Sequence, residues 1–323
     1  MKIKKFCIAD PTYWNRVCNA TYIPTENCNM RCDYCSRSCN IIKDKYYYAS
    51  VSDFKRLLEF LELQGYENYT FEFFGGEPSV HPHFKKFHKI LNEYFNKGKN
   101  LLRIHTLTNL FKPLEYWIYD WPKQTKFSCS CHFDRIKDLD EWFAKVYYLL
   151  EKDMLRDIKF IMTPENEKEI VKVYEKYKSD KFHTYEFVVQ EQLVGTDWAE
   201  KVAKKYDADY LGNYKYEDIG SKNCEIVFED GSKGKLRDFQ FQEFYAAMCN
   251  CKFRIAENGD LYYCWRKFND EKSKPLLNVF KDPLKKVSEW HVCSYFNCDI
   301  CDIEYPKYSI DYFLRNKNEI QRR

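Results

Sequence analysis

No run among the 323 residues approaches the roughly 18 consecutive apolar residues that a membrane-spanning helix needs. The N-terminus lacks a secretory core as well: in MKIKKFCIADPTYW only Phe6–Ala9 precede Asp10 and Pro11, too short for an h-region. No long block of one charge is present, and 52 basic against 49 acidic residues leave a net charge of +3. Neither nucleic acid nor an anionic membrane is therefore demanded as a partner. These absences point to a cytoplasmic protein. In that reducing compartment fifteen cysteines do not read as a disulfide framework. Metal binding or catalysis is left for the clustered ones, and packing as small hydrophobes for scattered ones such as Cys7 and Cys18. A hydrophobic content of 45% and an aromatic content of 18% mark a globular chain. Its length suits one large and one small domain, at roughly 100–200 residues each.

A fourth cysteine is also missing where one would be expected. The stretch ENCNMRCDYCSRSC, residues 26–39, holds Cys28-x3-Cys32-x2-Cys35 and then Cys39, which reads as an incidental thiol. A structural zinc site closes with four ligands, and a ferredoxin-type cluster takes four cysteines in its own spacing. Three thiolates are an incomplete set, so another group must fill the remaining coordination position.

Strand-like and helix-like patterns alternate along the first two thirds of the chain. Strands are expected at Thr21–Ile23, 69–76 (YTFEFFGG), 101–107 (LLRIHTL), 126–133 (KFSCSCHF), 157–162 (DIKFIM) and 184–190 (TYEFVVQ). Helical stripes follow several of them, with Phe54, Leu57, Leu58 and Leu61 closed by Gly65, then Phe84 to Phe95, and then Trp142, Val146, Leu149 and Leu150. Six strands each followed by helical sequence argue for parallel βα units, closed or partly closed into a barrel. The chemistry of such folds sits at the C-terminal strand ends, where both the cysteine loop and GGEPS (75–79) leave their strands. Gly75 and Gly76 would allow close backbone approach to a ligand, Glu77 supplies a carboxylate, and Pro78 holds the turn.

The cysteine spacing, with Tyr34 just before Cys35 and Gly75-Gly76-Glu77-Pro78 one βα unit later, resembles the radical S-adenosylmethionine enzymes. The resemblance covers about the first 200 residues and implies an α/β fold, a partial (β/α)6 barrel over 1–207. It implies that Cys28, Cys32 and Cys35 hold a [4Fe–4S] cluster whose fourth iron takes the methionine part of S-adenosylmethionine. One electron then gives a 5′-deoxyadenosyl radical that abstracts hydrogen from a substrate. By the same resemblance Tyr34 would lie near the adenine, Gly75–Pro78 would receive the methionine ammonium by backbone carbonyl and the Glu77 side chain, and Ser128 or Ser130 would contact the ribose. The alternatives are a core aromatic for Tyr34 and an exposed turn carboxylate for Glu77. TLTNL (106–110) resembles the third-strand ending that carries Asn109, with Leu110 where glycine is common.

Beyond about residue 208 the character changes to short strands with turns at 228–234 and at Asn258-Gly259, the latter read as a two-residue hairpin turn that would set Phe253 opposite Cys264. Besides Cys224, this half holds Cys249, Cys251, Cys264, Cys293, Cys298 and Cys301. Cys249-x9-Gly259-x4-Cys264 with the later Cys298-x2-Cys301 resembles the twitch subdomain, the shortened relative of the SPASM domain. The resemblance implies one auxiliary [4Fe–4S] cluster within 208–323. Cys251 competes with Cys249 as a ligand, and a four-cysteine zinc site is the alternative for the whole set.

Proteins of this kind modify peptides, by epimerisation, crosslinking or oxidation, or dehydrogenate small alcohols and sugars. Peptide modification is the first expectation and small-molecule oxidation the second. A non-catalytic zinc or iron–sulfur binding module is the alternative from another class. The barrel pattern begins within about twenty residues of Met1, so no fused N-terminal peptide-recognition domain is expected. An external electron donor such as flavodoxin or ferredoxin is implied. Cys131, or Cys224, is the candidate hydrogen-atom donor. Strand alternation opposes Cys129 and Cys131 to Ser128, Ser130 and His132, so only one set can face the barrel interior.

Overall fold

The computed structural model describes residues 3–6, 17–35, 46–95, 100–178, 185–189, 196–206, 209–210, 225–235, 244–247, 252–262, 268, 273–287, 290–293, 307–308 and 315. After β1 (Ile3–Phe6) the chain alternates: β2 (Val17–Tyr22), α1 (Val51–Leu63), β3 (Asn68–Phe73), α2 (Phe84–Phe95), β4 (Asn100–Thr108), α3 (Leu114–Trp117), β5 (Thr125–Cys131), α4 (Leu139–Glu151), β6 (Leu155–Met162), α5 (Glu167–Tyr177), β7 (Tyr185–Val189), α6 (Asp197–Tyr206) and β8 (Asp209–Tyr210). Short strands follow: β9 (Glu225–Phe228), β10 (Lys233–Lys235), β11 (Phe244–Ala247), β12 (Lys252–Ile255), β13 (Asp260–Tyr262), β14 (Leu277–Asn278), β15 (Trp290–Cys293) and β16 (Lys307–Tyr308).

Strands β2 to β8 lie side by side in chain order, each parallel to the next, which makes this an α/β fold with a mostly parallel sheet. The six expected strands are all present, and β8 adds a seventh. The sheet also continues past β2, where β12 pairs in parallel and carries β13 and β14 antiparallel outside it. Strands from beyond residue 208 thus extend both edges of the sheet. The second sheet runs in the order β10-β9-β1-β16-β11-β15.

The helices form where their apolar stripes can cover one face of the parallel sheet. Ser50 caps α1, accepting from Asp53 N while the Asp53 side chain accepts from Ser50 N. Phe54, Leu57, Leu58 and Leu61 are all fully buried on its stripe, and Gly65 leaves the helix at φ +88. Tyr69, Phe71 and Phe73 alternate toward this layer from β3. Phe54 stacks on Phe87 of α2 with centroids 4.2 Å apart, and each such buried ring contributes roughly 1.5–3 kcal/mol. Phe127, Cys129 and Cys131 join the same apolar layer from β5. The opposite face of the sheet carries Thr21, Glu72, His105 and Ser128. No helix among the described residues is long and apolar enough to cross a membrane.

The hairpin β12–β13 departs from expectation. Ala256 N donates to Asp260 O, Gly259 N donates to Ala256 O, and Gly259 takes φ +91. Three residues, 257–259, therefore form the loop, with the left-handed glycine of a bulged hairpin. Arg254 pairs with Tyr262 and Ile255 with Leu261, one residue away from the register that would place Phe253 opposite Cys264.

Candidate functional site

Four connections meet at the C-terminal ends of β2, β3, β4 and β5. The cysteine loop leaves β2 and is bonded along its backbone to the turn that leaves β3. Gly76 N donates to Thr25 O at 3.1 Å and Glu77 N donates to Asn27 O at 2.9 Å. This contact explains the glycine pair. A Cβ on Gly76 would stand 2.3 Å from Asn27 O, and one on Gly75, itself at φ +131, would stand 2.7 Å from Ile23 Cγ2. The close approach expected toward a ligand is thus made to the chain that carries Cys28.

Glu77 is 1% exposed and begins a single 3-10 turn, Pro78–Val80. Its Oε1 accepts from Ser79 N at 3.1 Å, Ser79 Oγ at 2.6 Å and Thr108 Oγ1 at 2.8 Å, and its Oε2 accepts from Asn109 N at 2.7 Å. Burial pushes its pKa up, against the pull of these donors. In this geometry the Glu77 side chain, expected to receive a ligand ammonium, bonds the protein's own donors. The carboxylate clamps the β3 turn to the end of β4, and four donors already use about as many acceptor sites as its two oxygens offer.

Asn109 completes the clamp. Its side chain donates to Asn29 Oδ1 at 2.9 Å and lies 3.8 Å from Cys28 Sγ, its Oδ1 accepts from Phe111 N at 3.1 Å, and its carbonyl accepts from Trp142 Nε1 at 2.8 Å. Leu110 follows at φ 54 and is fully buried. Here a leucine adopts the left-handed backbone that glycine accommodates without steric cost.

Cys28, Cys32 and Cys35 are not joined in disulfides. Met30 N points at Cys28 Sγ across 3.4 Å, and Cys35 N donates to Cys32 O at 3.1 Å. The Arg31 guanidinium folds back onto the carbonyls of Cys28 and Met30. Burial pushes the Cys28 thiol up to about 12, and the nearby Glu77, Cys32 and Cys35 add to the shift. Burial likewise takes Cys32 to about 11. Among the described residues no three His, Cys, Asp or Glu side chains are grouped around one ion. An iron–sulfur cubane takes one thiolate per iron, so its ligands stand further apart than those of a single ion. Three thiols outside any disulfide, with amide donors aimed at the Cys28 sulfur, fit such a cluster as a donor set.

Tyr34 reaches across to the turn after β5. Its hydroxyl donates to Asp134 Oδ1 at 2.9 Å and lies 3.2 Å from His132 Nδ1, and the two rings stack with centroids 5.8 Å apart. His132 Nδ1 is also 3.9 Å from Cys32 Sγ, and Arg135 bonds Asp33 Oδ2 at 2.9 Å. Burial holds the His132 imidazole down at about 4. His132, Asp134 and Arg135 are site residues that sequence reasoning left without a role. Their only signal was position, directly after the fourth strand.

On β5 the alternation resolves in favour of the serines. Cys129 and Cys131 are fully buried in the apolar layer beneath the helices, and burial raises both thiols. The sulfur of Cys131, expected as a candidate hydrogen-atom donor, packs in this apolar layer against the helices. Ser128 faces the other way but is also fully buried, with His105 Nε2 at 2.7 Å. Ser130 is the half-buried one of the two. Cys39, Cys224, Cys249, Cys251, Cys264, Cys298 and Cys301 lie outside the described residues, and Cys293 is described only as the end of β15.

The fold and site together define an α/β chain with a three-cysteine loop at the C-terminal ends of parallel strands. Residues 22–121, which contain the cysteine loop, the glycine turn and Asn109, match the Radical SAM superfamily. No curated protein matches the chain. Among solved structures, SuiB of Streptococcus suis bound to precursor peptide SuiA aligns with a TM-score of 0.55 at 14% identity, over 82% of this chain and 63% of that one. The protein anSMEcpe with bound AdoMet aligns with a TM-score of 0.52 at 14% identity, over 82% of this chain and 78% of that one. The chain thus spans less than two thirds of the SuiB chain, and the likeness at these identities is one of fold.

Proposed function

We propose that this protein is a radical S-adenosylmethionine enzyme that modifies a peptide. The observation that carries the reading is the convergence of Cys28, Gly76, Glu77 and Asn109 on neighbouring strand ends, within the segment that matches the superfamily. Cys28, Cys32 and Cys35 would hold a [4Fe–4S] cluster. When bound, it and S-adenosylmethionine supply a one-electron cleavage that yields methionine and a 5′-deoxyadenosyl radical able to take hydrogen from the substrate.

The chain's own residues bind and orient. The Glu77 clamp fixes the backbone of residues 75–78, whose carbonyls would receive the methionine ammonium. Tyr34, held by Asp134 and His132, would border the adenine, and Ser130, the more accessible of the two serines, would meet the ribose. The buried polar face of the sheet, with Thr21 at 3%, His105 at 5% and Arg254 at 8% exposure, supports a sheet curled into a partial (β/α)6 barrel over 1–207. Residues 208–323 would form the twitch-like unit, with Cys249 or Cys251, Cys264, Cys298 and Cys301 holding one auxiliary [4Fe–4S] cluster. The peptide reading draws on SuiB bound to SuiA and on anSMEcpe bound to the Cp18Cys peptide. Flavodoxin or ferredoxin would donate the electron.

The test is cofactor turnover. Reduced, iron-reconstituted protein should convert S-adenosylmethionine to methionine and 5′-deoxyadenosine in equal amounts. A protein that carries the cluster and leaves the cofactor intact would overturn the proposal.

A further inference from the structure

Past the end of β2 and β12, Ile23 N still donates to Ile255 O at 2.9 Å. Beyond that bond the two chains part, because β12 turns into the hairpin loop 257–259. One side chain bridges the gap. Glu257, half-buried at the start of that loop, accepts the backbone N–H of Glu26 at Oε2 across 2.7 Å. The carboxylate takes the place of a strand carbonyl where the hairpin backbone has turned away, and Glu26 stands two residues before Cys28.

The stem of the cysteine loop is therefore held from two sides. Toward the β3 turn, Thr25 O accepts from Gly76 N and Asn27 O accepts from Glu77 N, while Glu26 N donates the other way, to Glu257. Successive residues bond to opposite neighbours, as they do inside a parallel sheet. The hairpin that carries Glu257 is itself tied down. Arg56 of α1 donates to Val279 O at 3.1 Å, Val279 N donates to Gly259 O at 2.8 Å, and a Cβ on Gly259 would stand 2.5 Å from Phe280 Cδ2. A loop packed this closely leaves the Glu257 backbone little freedom, so its bond to Glu26 is preorganised.

We propose that Glu257 is a positioning residue for Cys28, coupling the C-terminal hairpin to the cysteine loop so that a cluster held by the loop is felt in the hairpin. Such coupling is reciprocal: what fixes the loop also fixes the hairpin. The inference rests on the proposed function for the cluster, and it goes further by giving a residue from beyond 208 a part in holding the first cluster's loop.

Hydrogen exchange at single amides of the full chain, with and without reconstituted iron, tests this. In the wild type the Glu26 amide should be protected, and reconstitution should slow exchange severalfold at Gly259, whose N–H is bonded to Ala256 O. With Cys28, Cys32 and Cys35 all replaced by Ala the iron effect at Gly259 should vanish, which separates the loop's cluster from any other. Glu257→Ala should speed exchange at Glu26 about tenfold, as expected for loss of a charge-assisted hydrogen bond. It should also abolish the iron effect at Gly259 and release iron to a chelator severalfold faster. Glu257→Gln keeps an acceptor oxygen and should restore most of the protection and the iron retention. An unprotected Glu26 amide in the wild type, or wild-type exchange at Gly259 that ignores iron, would overturn the proposal, and neither needs a variant. Unchanged Glu26 exchange in Glu257→Ala, or an iron effect that survives the three-cysteine change, would overturn it as well. A chain that takes up no iron would overturn the enzymatic reading and with it the coupling to a cluster, while Glu26 exchange in Glu257→Ala still tells whether Glu257 holds the loop.

Discussion

Glu77 accepts the backbone N–H of Asn109 at 2.7 Å, so one buried carboxylate joins the turn after β3 to the end of β4. Through Asn109 the same carboxylate reaches the loop of Cys28. Glu77→Ala should therefore cost about 3 kcal/mol, since it strands several buried donors at once. Thr108→Val removes one donor and should cost only about 1 kcal/mol. Denaturant unfolding of the two variants compares them, and equal losses would contradict the clamp.

Gly76 is required by the Asn27 carbonyl rather than by its own backbone angle. Gly76→Ala should destabilise by about 1–3 kcal/mol as the two loops are forced apart. It should also lower the iron retained after reconstitution, because Asn27 precedes Cys28. Wild-type stability together with wild-type iron content would contradict this account.

His88 is fully buried on α2, with Nδ1 3.1 Å from Phe84 O and Nε2 3.2 Å from Thr106 Oγ1. Burial holds its pKa down from 6.5 to about 3, so the fold favours the neutral ring. That contribution is complete above pH 6.5 and is lost as the pH falls toward 3. His88→Gln should thus flatten the fall in unfolding free energy between those limits. Urea midpoints at neutral and acid pH measure it, and an unchanged slope would contradict the assignment.

Much of this architecture was legible because it is periodic. The stripe Phe54, Leu57, Leu58 and Leu61 and the alternation Tyr69, Phe71 and Phe73 each declare an element and its buried face. The cysteine loop and GGEP turn were legible from spacing. What escaped was long-range. Arg254 and Thr21 are 233 residues apart, and no local pattern announces that β12 lies against β2. His132 and Asp134 carry no period and gain meaning only once Tyr34 is folded against them. The Asn258-Gly259 pair was read as a two-residue turn because that is its commonest use, whereas a third residue joins the loop and shifts the register.

The C-terminal cysteines separate two metals. In a variant with Cys28, Cys32 and Cys35 all replaced by Ala, an auxiliary cubane would keep the protein brown with about four irons per chain. In that background, only loss of the true ligand among Cys249 and Cys251 should bleach the colour. A colourless variant containing zinc would contradict the auxiliary cluster.

The most direct measurement is 5′-deoxyadenosine formed by reduced wild type and by the same three-cysteine variant, side by side with S-adenosylmethionine. The wild type should form it, and the folded variant should form none. Equal formation by both would contradict the assignment of Cys28, Cys32 and Cys35, and with it the central claim.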